Sequence, residues 1–245
     1  MSLETEIAAL TSKATSLLDY FGNAKASIAN ALAAAVAAAP EISRTFYVDQ
    51  AAGDDLAAGT LAAPMKTINR AVASTPSGGV CDVILLKDYT LDVTLNVRNR
   101  HLMIRGDSSD TNTRKLIINE FLSSTGTRMI GSFQVGSSVS LGFADLTLSL
   151  PNMALSNGAL DTYCALIYAG GQTIPGFFPV KLYKVGFDLR GTFSAKIVGV
   201  GLPVLSLTAV NTTIPSALEG SLISGVSAGK DPNTIPYLLT NIAKL

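Results

Sequence analysis

Asp145 and Asp188 are the two carboxylates whose placement comes nearest to a catalytic pair. Hydrolysis of a glycosidic bond needs two carboxyl groups about 5–9.5 Å apart, and elimination needs a base with charge stabilisation beside it. The other acids of the same region, Asp107, Asp110, Glu120, Asp161, Glu219 and Asp231, are single and scattered. Asp145 reads as a turn residue and Asp188 as an outward strand residue, positions that solvation alone explains. His101 is the one histidine and cannot build a ligand set. It lies in Arg98-Asn99-Arg100-His101, read as a solvated turn, with contact to a phosphate or an anionic sugar as the alternative.

Other candidates fall away on spacing. Cys81 and Cys164 make neither a disulfide framework nor a metal site, and their apolar neighbours mark them as small core side chains. Gly53-Asp54-Asp55 resembles half a calcium loop without the EF-hand spacing, so it reads as a turn. Ala169-Gly170-Gly171 is not followed by Gly-Lys-Ser/Thr and is a loop. Neither Gly-x-Ser-x-Gly nor His-Glu-x-x-His occurs. Tryptophan, the broadest face for stacking on sugars, is absent. Tyr163, Tyr168, Phe177, Phe178, Tyr183 and Phe187 read as core or subunit interface, with sugar contact as the alternative. No catalytic, cofactor or metal residue is assigned, and the chain is not expected to be an enzyme.

The composition bounds the rest. Of 245 residues, 48% are hydrophobic and 15% charged, which suits a long core or adhesive faces that need partners. A net charge of zero leaves no electrostatic footprint for nucleic acid. No apolar run reaches the roughly 18 residues of a membrane span, the longest being the Ala-rich Ala31–Ala39. Met1-Ser2-Leu3-Glu4 lacks the basic start of a signal peptide, so folding in a cytoplasm is expected.

The first segment carries an unbroken heptad. Leu3, Ile7, Leu10, Ala14, Leu17, Phe21, Ala24, Ile28, Ala31 and Ala35 alternate in steps of four and three, which keeps one apolar seam facing a partner helix. Gly22-Asn23 weakens the middle by about 1 kcal/mol, and several seam positions are only Ala. Such a helix needs other chains or a larger assembly; a helix packed on its own domain is the alternative. Pro40 stops it, and a linker follows to Thr45.

Beyond the linker, strands are short and turn residues frequent. Val83–Leu86, Leu102–Gly106, Lys115–Ile118, Asp145–Leu148, Ala165–Tyr168, Val180–Tyr183 and Lys196–Val200 all have strand chemistry, with no helical periodicity between them. A weak repeat aligns Leu141–Leu148 with Leu182–Leu189 and Leu207–Ile214, placing Asp145, Gly186 and Asn211 in one turn slot. With a solenoid turn of roughly 20–25 residues, the offsets correspond to two turns and one, and six or seven turns fit after Gly106.

The stretch Phe46-Tyr47-Val48-Asp49, Gly53-Asp54-Asp55, Pro64-Met65-Lys66-Thr67-Ile68 and Ala71-Val72 resembles the start of the right-handed parallel β-helix of bacteriophage tail fibres, tailspikes and pectate-lyase-like proteins. A solenoid end needs a cover, and a helix at Thr67–Val72 would supply it with Ile68, Ala71 and Val72, Pro64 serving its start. The resemblance implies a mainly β fold: a right-handed parallel β-helix behind an N-terminal α-helical coiled-coil segment. Residues 1–39 are then a virion-attachment stalk, 40–45 a linker and 46–245 the body, with a cap at 46–75 and a closing segment at 229–245. In that segment Ile235, Leu238, Leu239 and Ile242 are the expected apolar cover. The implied function is a structural and adhesive virion component, a tail fibre or spike, homotrimeric and assembled in the host cytoplasm. Its partners would be itself, other virion proteins through the N-terminal helix, and a host surface glycan or lipopolysaccharide; nucleic acid and membrane insertion are not expected. A surface-polysaccharide depolymerase and a scaffold at baseplate, collar or capsid are the alternatives.

Overall fold

A computed structural model of the chain describes residues 2–38, 42–109, 113–136, 139–154, 158–169, 176–200 and 204–245. Pro40 as helix stop, the Gly170-Gly171 loop and Asp110 lie outside the described residues. Two compact units form, Met1–Pro40 and Glu41–Leu245.

The first unit is the helix α1 (Leu3–Ala38). The Ser2 carbonyl accepts from the Thr5 and Glu6 amides at 3.0 and 3.3 Å, satisfying two orphan donors of the first turn. Glu4 and Glu6 sit where the helix dipole favours anions. The helix runs unbroken through Gly22-Asn23, carried by the Ala, Leu and Lys residues around it.

The body is mainly β. It contains β1 (Ser43–Val48), α2 (Ile68–Ser74), β2 (Val80–Leu85), β3 (Tyr89–Leu91), β4 (Thr94–Asn96), β5 (His101–Gly106) and β6 (Arg114–Ile118). A hairpin follows, β7 (Glu120–Leu122) and β8 (Arg128–Ile130), then β9 (Ser132–Gln134), β10 (Leu141–Ala144), β11 (Leu146–Leu150) and β12 (Ala165–Ala169). The last strands are β13 (Phe177–Tyr183), β14 (Gly186–Leu189), β15 (Lys196–Val200), β16 (Val204–Val210) and β17 (Leu238–Thr240). Ser43–Thr45, read as linker, belong to β1, where they pair with Val80–Asp82.

Three sheets are wholly parallel. The long sheet has the order β1-β2-β5-β10-β13-β16-β17, the second β14-β11-β6-β3 and the third β15-β12-β9-β4. The chain visits them in a constant order, so β2, β3 and β4 are followed by β5, β6 and β9, and two further passes do the same. Inward residues stack in register across the long sheet, as in Phe46, Val83, Ile104, Phe143 and Leu182, all fully buried. Strand alternation therefore turns one face of the strands of the three parallel sheets toward a single core.

Register corrects the repeat. Leu141 pairs with Val180 and Val180 with Leu207, so the true offsets are 39 and 27 residues and each is a single pass. A two-residue slip lays apolar on apolar along a strand, so periodicity alone cannot detect it. The shared turn slot holds Asp145, Lys184 and Asn211, each at φ 50°; Gly186 lies inside β14. The hairpin and the segment between β11 and β12 lengthen the passes, and four strands join the long sheet after β5, fewer than the six or seven turns expected.

At one end, α2 buries Ile68, Ala71 and Val72 against the core. Its N-cap is Thr67, whose Oγ1 accepts from the Arg70 amide at 3.1 Å and donates to Asp55 at 2.9 Å. Pro64 thus precedes the cap and does not open the helix. Gly53 is required in the preceding turn, since a Cβ there would lie 2.3 Å from the Met65 carbonyl oxygen. Near the other terminus, Leu218, Leu222, Ile235, Leu238 and Leu245 join the core, whereas Leu239 stays exposed.

Candidate functional site

The expected seam residues all lie on α1, seven-residue spacing returning each to one side of the helix. Its large members are open: Leu3, Ile7, Leu10, Leu17, Phe21 and Ile28 are 55–73% exposed. Leu18, Tyr20 and Leu32 flank them and are exposed as well. Extended exposed apolar surface of this kind is, in general, a mark of association sites.

The two candidate carboxylates are not brought together as a reactive pair. Asp145 sits in the turn after β10, its carboxylate 3.8 Å from the Lys184 ammonium. Asp188 lies on β14 and accepts from Lys115 at 2.8 Å and from the Ser149 hydroxyl at 3.1 Å. The Lys115 hydrogen bond, then that from Ser149, holds Asp188 below the usual carboxylate range, and Asp188 in turn raises Lys115. Arg190 spans two neighbouring strands, donating to the Leu150 and Ile118 carbonyls and to Asn119 Oδ1. The outer face of the second sheet thus carries a brace of ion pairs and hydrogen bonds.

Glu120 and Arg128 form an ion pair across the hairpin that sequence reading missed. Arg128 donates to Glu120 at 2.9 and 3.0 Å and to the Met153 carbonyl at 2.9 Å, with its side chain nearly buried. Asp161 accepts from the Tyr163 amide and the Thr127 hydroxyl, which lowers its pKa. Its role is to hold the segment before β12 onto the hairpin.

His101 is half-buried as the first residue of β5, not part of a solvated turn, because β5 pairs on both sides, with β2 and β10. Its Nδ1 accepts from the Ser140 amide at 3.2 Å and lies 2.8 Å from the Ser140 hydroxyl. Together with Met103, Gly142, Pro179 and Lys181, these two residues line an open groove of ≈ 370 Å³ on the outer face of the long sheet. A Cβ at Gly142 would lie 2.5 Å from the Met103 methyl carbon, so that flexible side chain would have to move to admit one. No acid accompanies His101 and Ser140 among the residues lining the groove, so they lack the third member of a hydrolytic triad.

The aromatic candidates divide. Phe178 is buried and Phe187 packs against the core; Phe177 is 52% exposed on the outer face of the long sheet. Tyr163 and Tyr168 contact each other at a centroid distance of 4.5 Å. Burial, then Tyr163 beside it, pushes Tyr168 up to about 12. Cys81 and Cys164 are buried thiols that desolvation raises to about 11, so they are poor nucleophiles. Among the described residues there is no cluster of three His, Cys, Asp or Glu suited to a metal, and no helix long and apolar enough to cross a membrane.

The chain is therefore a mainly β protein of parallel sheets with one long N-terminal helix. Comparison with family models, curated proteins and solved structures finds no match to it.

Proposed function

We propose that this chain is a structural and adhesive component of a phage virion, a tail fibre or spike, whose body is a right-handed parallel β-helix and whose helix self-associates as a homotrimeric coiled coil. The N-terminal helix joins the particle and the body projects outward toward a host surface glycan or lipopolysaccharide. The constant order of visits to three parallel sheets supports the solenoid, and the crossover preference of parallel strands supports its hand. The phage assignment rests on the resemblance around Tyr47-Val48-Asp49 and Pro64–Val72.

One observation carries the reading: a 36-residue helix with its heptad seam exposed is attached to a body that has its own complete core. An exposed apolar seam of this length favours association with other helices. Sedimentation of the full chain at low micromolar concentration tests the assembly, with a trimer expected and a monomer of intact secondary structure refuting it. A chain beginning at Ile42 is expected to stay folded and to be lost from particles. Its incorporation at normal levels would remove the attachment role from the helix.

A further inference from the structure

We infer that Ser140 is an acyl acceptor, a serine nucleophile that His101 activates toward short, activated acyl esters seated in the groove on the outer face of the long sheet. The tautomer of His101 follows from its partners. A backbone amide can only donate, and the Ser140 amide donates to Nδ1 at 3.2 Å, so Nδ1 carries a lone pair and the ring proton is on Nε2. The Ser140 hydroxyl, 2.8 Å from the same nitrogen, must then donate to it as well. A serine donating to an unprotonated imidazole nitrogen is the arrangement of a nucleophile and its general base, within the roughly 2.6–3.2 Å that proton transfer requires.

In a triad the acid selects the tautomer and holds the imidazole in place. Here the Ser140 amide selects it and the ladder holds both residues. The His101 amide donates to the Gly79 carbonyl at 2.9 Å, and the Ser140 carbonyl accepts from the Leu102 amide at 2.9 Å. No carboxylate stabilises the imidazolium that forms, so the pair is weaker than a triad and needs an ester with a good leaving group.

Access separates this serine from other hydroxyls of the body. Ser149 donates to Asp188 at 3.1 Å but is buried, and Lys115 already engages that carboxylate. Thr94 and Ser132 bond only one another's hydroxyls, at 2.9 Å. Ser140 and His101 are half-buried and open on a groove of ≈ 370 Å³, the size of a small-molecule site. Val80, Met103, Leu141 and Pro179 give it apolar walls for an acyl chain. Lys181, on the same groove, brings a positive charge that favours a negative oxygen forming there. In the step itself the Ser140 Oγ bonds to the ester carbonyl carbon as its proton passes to Nδ1. The bond from that carbon to the leaving oxygen then breaks, and the imidazolium returns the proton to that oxygen. Ester and serine become acyl-serine and alcohol, with no other reactant.

Two probes on the full chain test this: release of 4-nitrophenolate from 4-nitrophenyl butanoate, and peptide mapping after an alkyl fluorophosphonate, whose serine adduct persists. The fluorophosphonate is expected to label Ser140 at least about tenfold faster than any other hydroxyl. Ser140→Ala should abolish that label and the nitrophenolate release above the buffer rate. His101→Asn keeps an oxygen that can accept from the Ser140 amide but is no base, and should slow both reactions about 100-fold; His101→Gln repeats the test with a longer side chain. Ser12→Ala, on α1, should react as wild type does. Circular dichroism checks that each chain keeps its β signal. A wild-type Ser140 labelled no faster than other hydroxyls overturns the inference, and so does a folded His101 variant that reacts at the wild-type rate.

Discussion

Replacing Leu17 by Lys isolates the seam from the body. Leu17 lies midway along α1 and is 55% exposed. In a lone helix the change is nearly neutral, because Lys and Leu have similar helix propensity. In an assembled stalk each copy loses the burial of a leucine, about 1.5–3 kcal/mol, and must also desolvate an ammonium. For three copies the loss is roughly 5–9 kcal/mol, and every 1.4 kcal/mol is tenfold. The dissociation constant should rise by about 10³- to 10⁶-fold, enough to convert assemblies to monomers at low micromolar concentration.

Sedimentation reads that change, and circular dichroism of the β signal reads the body. Ser12→Lys adds the same charge off the heptad seam and should leave the assembly intact. The β melting transition should be the same in all three chains when measured as monomers. Equal sedimentation of Leu17→Lys and wild type would refute the seam. A melting temperature of the body lowered by several degrees would instead show that α1 packs on its own domain.

Four further outcomes follow from the body. Phe133 and Phe143 are fully buried and meet edge to face at 5.7 Å, so each change to Ala should cost about 3–5 kcal/mol, the pair falling about 0.5–1.5 kcal/mol short of additivity in urea titrations. Arg128→Met leaves the half-buried Glu120 without its partner and should cost about 1–3 kcal/mol, with Glu120→Gln in the same chain restoring part of it. A thiol reagent at pH 8 should find no reactive cysteine in the native chain and both Cys81 and Cys164 after denaturation. Asp188 and Asp161 have folded pKa values below the ordinary 3.8, so their stabilisation is present above that value and is lost as pH falls through the folded values; Asp188→Asn and Asp161→Asn should each flatten the decline of stability below pH 4.

Legibility in the sequence followed the range of the interaction. The heptad of α1, the Thr67 region before α2 and most strand cores are local patterns, and the chain around them is enough to read them. His101 was misplaced because its neighbours in sequence are Arg98 and Arg100, whereas its strand partner Ser140 lies 39 residues away. Glu120 reads as an isolated acid in the sequence; an antiparallel hairpin within a parallel fold brings Arg128 to it. The repeat reads at offsets of 41 and 25 where the strand register gives 39 and 27, because inward apolar residues recur every second position and a two-residue slip leaves the pattern unchanged. The outer face of the long sheet was invisible because its apolar members, Val80, Phe177, Val204 and Leu239, come from four strands spread over 160 residues.

Inward and outward strand positions also answer to different requirements. Inward positions of every strand answer to one requirement, a continuous core, and Val83, Ile104, Phe143 and Leu182 meet it with interchangeable chemistry. Outward positions carry no such constraint, so an apolar residue kept there has no reason within the chain. On the second sheet the freedom is used for ion pairs and hydrogen bonds that strengthen the body alone. On α1, leucine, isoleucine and phenylalanine are left open to water, each costing about 25 cal/mol for every Å² of apolar surface until a partner covers it. Substitutions confined to that surface should therefore change what the chain assembles into while leaving the fold of each unit as it is.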